Sequence, residues 1–109
     1  MDVKKLAKIK REIDSARQGA GNLRHRDLEK IAKMLGRVRS KERTNEPTYV
    51  STLLPDANVI TIPDHSRGVN KFTAKNILNQ LEEDVFKFEE IQRIEIEKGI
   101  LYANNNYEN

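Results

Sequence analysis

The stretch from Ile77 to Ile91 constrains the fold most. Ile77, Leu78, Leu81, Val85, Phe88 and Ile91 recur at steps of three and four, the signature of one continuous helical stripe. Glu82, Glu83, Asp84, Glu89 and Glu90 crowd what this reading makes the opposite face. The pattern runs to Lys98 with Gly99 as its stop, and a helix over 74–98 is about 37 Å long at 1.5 Å per residue. Thr73 is the expected N-cap, with Phe72 stapled against Ile77. A chain of 109 residues, a single domain's worth, cannot build a sheet large enough to cover such a helix. Its far end must therefore meet another helix, a partner chain or water.

The first helix is a natural partner. From Asp2 to Arg17, Val3, Leu6, Ile9, Ile13 and Ala16 form an apolar stripe, with Lys4, Lys5, Lys8, Lys10 and Arg11 largely off it. Residues 18–22 break the pattern with two glycines and an asparagine. A second helix follows with Leu28, Ile31, Ala32 and Leu35 as its stripe and Gly36 as a left-handed stop.

From Arg37 to Ile62 the period changes to two. Residues 37–41 alternate, 48–53 are rich in β-branched and aromatic side chains, and 59–62 form a short β run. Turn chemistry at 44–47 and 55–58 joins them into an antiparallel meander. The expected architecture is an α+β two-layer sandwich, helix–strand–strand–strand–helix, with an additional N-terminal helix. In domain terms, 1–22 is a basic helix and linker, 23–98 the α+β unit, and 99–109 a polar tail.

Composition narrows the chemistry. The absence of cysteine excludes disulfides, zinc–thiolate sites, iron–sulfur clusters and cysteine nucleophiles. Spacings suited to a metal or a phosphate-cradling loop are lacking, so no cofactor is expected. No apolar run reaches membrane-span length and the first residues lack a signal-peptide core, so the expected setting is the cytoplasm. Charge is sharply divided: residues 1–45 carry 14 of the 20 Lys and Arg but 6 of the 17 acids, a net +8, and the remainder carries −5. A basic half attracts polyanions, RNA among them. The basic helix at 2–17 and the acidic helix at 74–98 are also complementary, within one chain or across a homodimer.

One stretch carries a resemblance. Val59-Ile60-Thr61-Ile62-Pro63-Asp64-His65, followed by Asn70-Lys71-Phe72-Thr73-Ala74-Lys75-Asn76-Ile77-Leu78, resembles the last strand, Pro-x-His turn and following helix of the HicA toxins of bacterial toxin–antitoxin pairs. Asp27 to Gly36 is similar to that family's first helix and terminating glycine. The likeness covers roughly residues 25–85. It implies a fold like that of double-stranded-RNA-binding domains, metal-independent cleavage of mRNA, and a HicB-type antitoxin as partner. The family's histidine on the second strand, in a Gly-Ser-His-x-x-aromatic motif, has no counterpart. The aligned residues read Asn45-Glu46-Pro47-Thr48-Tyr49-Val50.

Cleavage without a metal needs one group to take the proton of the 2′-hydroxyl and another to protonate the leaving oxygen, tasks suited to histidine. His65, in the turn after the third strand, is the stronger candidate; the competing role is a loop hydrogen bond or a helix cap. Glu46, beside the position of the family's histidine, is the second candidate base, against a solvated Glu-Pro corner. His25, between Arg24 and Arg26, reads as an exposed helix-entry residue kept neutral by its neighbours. Arg37, Arg39, Lys41 and Arg43 alternate and are expected to project together, either tracking RNA phosphates or guarding a strand edge. Tyr49 is a candidate for stacking on a base, or else a packing residue.

Overall fold

The computed structural model describes residues 1–42 and 45–107, with side-chain environments as far as Ile100. Helix α1 spans Val3–Gln18 and α2 spans His25–Met34, with a short 3-10 turn at Ala20–Asn22 between them. Strands β1 (Arg37–Arg39), β2 (Thr48–Ser51) and β3 (Ile60–Thr61) follow, and α3 runs from Lys71 to Tyr107. The class is the α+β arrangement expected, with its extra first helix and long last helix.

The sheet is an antiparallel meander in the order β1-β2-β3, with Val38 opposite Val50, Arg39 opposite Tyr49, and Tyr49 opposite Ile60. Alternation sends Tyr49, Ile60 and Ile62 into the core beneath the helices. The other face carries Val38, Val50, Thr48 and Thr61, and Val38 is exposed. The strands are shorter than the sequence runs that announced them: β1 and β2 start where expected and end two residues early, and β3 loses one residue at each end.

Each helix start has a local cause. The Asp2 carboxylate accepts from the Lys5 backbone N–H at 2.7 Å and opens α1. At α2 the Asp27 carboxylate accepts from the Arg24 N–H at 2.8 Å. For α3 the cap is Asn70, not Thr73: its side-chain oxygen accepts from the Phe72 N–H at 2.9 Å. The helix thus begins earlier than expected, and Phe72 turns outward, 76% exposed, with no staple to Ile77. Gly36 closes α2 at φ +84°, a backbone conformation that demands glycine; a Cβ there would also displace the exposed Leu53 side chain, 2.6 Å from its Cδ1.

One core holds all the elements. Leu6, Ile9 and Ile13 of α1 join Leu28 and Ile31 of α2, Tyr49 and Ile60 of the sheet, and Leu78, Leu81 and Val85 of α3. The first helix is therefore integral to the unit and covers the long helix. Val3 stays exposed, outside the stripe assigned to it. The complementary charges meet within one chain, Lys10 Nζ to Glu89 Oε2 at 2.7 Å and Arg17 Nη2 to Glu82 Oε1 at 3.1 Å. Cover ends where Gln92 Nε2 donates to the Met1 carbonyl. Beyond, Ile94, Ile96 and Ile100 are exposed, and Ile91, at the end of the expected stripe, is already partly so. Gly99 does not stop the helix, which continues to Tyr107, into the expected polar tail. Among the described residues no helix is long and apolar enough to cross a membrane.

Candidate functional site

The antiparallel pairing of β2 with β3 determines what the site contains. Thr48 lies opposite Thr61, and the Ile62 N–H donates to the Pro47 carbonyl at 3.0 Å, so the entry to β2 lies beside the exit of β3. Glu46 and His65, 19 residues apart in sequence, are thereby brought together, with His65 Nε2 3.1 Å from Glu46 Oε1. A carboxylate only accepts, so Nε2 carries the hydrogen, and in the neutral ring Nδ1 holds the lone pair. The Gly68 N–H donates to the His65 carbonyl and fixes the turn, with Gly68 at φ +86°. The pair is open to solvent, its side chains 62% and 38% exposed.

Arg39 shares a cleft with Glu46. With Ser40, Glu42, Asn45, Pro47 and Thr48 they line a space of about 470 Å³. Glu46 thus takes part both in the contact that orients the imidazole and in a cleft that carries a guanidinium suited to a phosphate.

The row of bases does not project as one. Arg37 is buried with Asp84, at 3% and 2% exposure, in a bidentate pair: Nε to Oδ2 at 2.6 Å and Nη2 to Oδ1 at 2.9 Å. Its Nη1 donates to the carbonyls of Tyr49 at 3.0 Å and Asn58 at 2.9 Å. Arg37 therefore cannot reach a phosphate; it ties the sheet to α3. Asp84, expected on the acidic outer face, is its counter-charge. Arg39 is exposed at the sheet margin, and Lys41 is exposed in the loop past the end of β1. Arg43 lies outside the described residues.

Tyr49 is fully buried and cannot stack on a base. Its hydroxyl donates to Glu29 Oε2, and His25 Nε2 lies 2.9 Å from the hydroxyl oxygen and 3.3 Å from that carboxylate. His25 Nδ1 donates to the Ile62 carbonyl at 3.1 Å, since a carbonyl can only accept. His25 is thus a partly buried link between α2, β2 and β3, where an exposed residue was expected. Burial pushes the Tyr49 phenol well up, and the neighbouring Glu29 carboxylate adds to this. The Tyr49 hydrogen bond holds Glu29 below the usual carboxylate range, helped by His25 and Lys33 and opposed by burial.

The network and the buried pair had faint signals in the sequence. Glu29 falls four residues after His25, on one helical face. Asp84 falls on the spacing Ile77, Leu81, Asp84, Phe88, which places an acid on the apolar seam itself. Among the described residues no cluster of His, Asp and Glu is arranged to hold a metal ion.

Comparison with protein-family models, with curated proteins and with solved structures finds no match to this chain.

Proposed function

We infer that the protein is an RNA-binding protein of HicA-like type that cuts single-stranded RNA without a metal, at the His65–Glu46 pair where the entry to β2 lies beside the exit of β3. The observation that carries this reading is the His65–Glu46 contact of 3.1 Å, made by a carboxylate that also lines the cleft shared with Arg39. His65 Nδ1 takes the proton from a ribose 2′-hydroxyl, the 2′-oxygen bonds to phosphorus, and the bond from phosphorus to the 5′-oxygen breaks. The departing 5′-oxygen takes its proton from solvent, to which the cleft is open. Glu46 orients the ring through Nε2–H and balances the imidazolium that forms, and Arg39 faces the charge developing on phosphorus. The pair takes over the task that the family's second-strand histidine would perform. A HicB-like antitoxin would act by covering this opening.

A binding-only module is the second reading. It draws on the missing family histidine and on Tyr49 and Arg37 being structural rather than presented to a ligand.

The two part in a cleavage assay on a mixed single-stranded RNA pool in EDTA. His65→Ala is expected to slow cleavage by about 10²-fold or more, the usual contribution of a positioned acid–base group. Glu46→Ala, which removes the partner that orients the ring and leaves the base itself, is expected to slow it less. Both side chains are solvent-facing, so the variants should melt as the wild type does. Cleavage indifferent to both substitutions, or none by the wild type, would leave the binding-only module.

A further inference from the structure

Burial takes Arg37 out of the row expected on the sheet, but positive charge also gathers on the helices. Lys4, Lys5 and Lys8 of α1 and Lys30 and Lys33 of α2 line an open groove of about 660 Å³ between the two helices. Lys30 is matched by Glu12 at 3.6 Å and Lys33 by Glu29 at 3.3 Å. Among the described residues none of Lys4, Lys5 and Lys8 takes part in an ion pair, and all three are exposed. Lys4 and Lys8 stand one helical turn apart, about 6 Å along the axis, and Lys5 flanks them. The only carboxylate lining the groove among the described residues, Asp2, is engaged in capping α1.

We propose that this lysine groove between α1 and α2 is a second RNA-contact surface, which holds the sugar–phosphate backbone of a strand whose scissile bond lies at the His65–Glu46 pair. The proposal rests on the reading of the protein as RNA-binding but not on the chemistry of His65. Two observations favour RNA as the occupant. Lys4, Lys5 and Lys8 are exposed and spread along a turn of helix, the charge complement of a phosphodiester chain. Of the large apolar residues of α1, Leu6, Ile9 and Ile13 are consumed by the core and Val3 alone is exposed, too little to insert into a lipid surface.

The test is fluorescence anisotropy of a labelled single-stranded 2′-O-methyl RNA, which cannot be cut, titrated with the full chain from 50 to 200 mM salt. The triple variant Lys4→Gln/Lys5→Gln/Lys8→Gln should bind about tenfold or more weakly. Its log–log salt slope should be shallower by about two, because each phosphate left without its lysine removes roughly 0.7 from the slope. Lys71→Gln/Lys75→Gln/Lys98→Gln removes the same charge from α3 and should leave the slope unchanged. Equal losses from both triple variants would reduce the effect to net charge and overturn the groove. So would wild-type slope in the α1 variant, or absence of binding by the wild type. Capture of phosphatidylserine vesicles lost only in the α1 variant, with RNA binding intact, would reassign the surface to lipid. A groove that binds while RNA goes uncut would instead count against the cleavage reading alone.

Discussion

Arg37 and Asp84 each depend on the other. Alone, either would be a charge out of reach of water; together they satisfy each other and leave Arg37 Nη1 for two carbonyls. Arg37→Met, which strands the carboxylate, should cost about 3–5 kcal/mol by chemical denaturation, and Arg37→Met/Asp84→Leu should recover most of the loss. A single substitution costing under about 1 kcal/mol would contradict this assignment. Tyr49 and Glu29 give a pH signature. The phenol is raised by burial from 10.0, so the folded state favours its protonated form, and that stability is lost as pH rises beyond about 10. Glu29 is lowered from 4.5, so its contribution is present above that value and is lost as pH falls below it. Tyr49→Phe should cost about 1–2 kcal/mol at neutral pH and flatten both flanks of the melting-temperature profile. Identical flanks in the two proteins would contradict the network. At this scale the sequence was least readable: an arginine in an alternating run looks like a surface residue until the partner that neutralises it is known.

Among the elements, the helices and the meander were legible because each is announced by a period and bounded by turn chemistry. What period alone missed was the face. Alternation in 37–41 separated Val38 from the bases correctly, but the inward side went to Arg37, since Asp84 on α3 supplies the counter-charge that its burial requires. The end of α3 was misplaced for a related reason. A glycine stops a helix when it turns left-handed, and only Gly36 and Gly68 have positive φ among the described residues. A Cβ on Gly99 would meet nothing within 4 Å. Gly99→Ala should therefore slow amide exchange over residues 95–100, reflecting about 1 kcal/mol of added local helix stability, while the core's melting midpoint stays put. Unchanged exchange there would mean that the helix ends earlier.

Across the whole molecule, the division of charge seen in the sequence becomes a division of tasks. Lys10 and Arg17 face the acidic side of α3, in half-exposed pairs that contribute at most about 1 kcal/mol each. Lys4, Lys5 and Lys8 turn toward α2. The sheet contributes the Glu46–His65 contact at its margin, where pairing register alone brings two distant residues together. The most direct test of the cleavage reading is the chemistry of the product ends. The wild type, incubated in EDTA with one RNA and with the same strand made as DNA, should cut only the RNA and leave 2′,3′-cyclic phosphate ends. Cutting of the DNA strand, or 3′-hydroxyl ends on the RNA fragments, would contradict attack by the 2′-hydroxyl and with it the role given to His65.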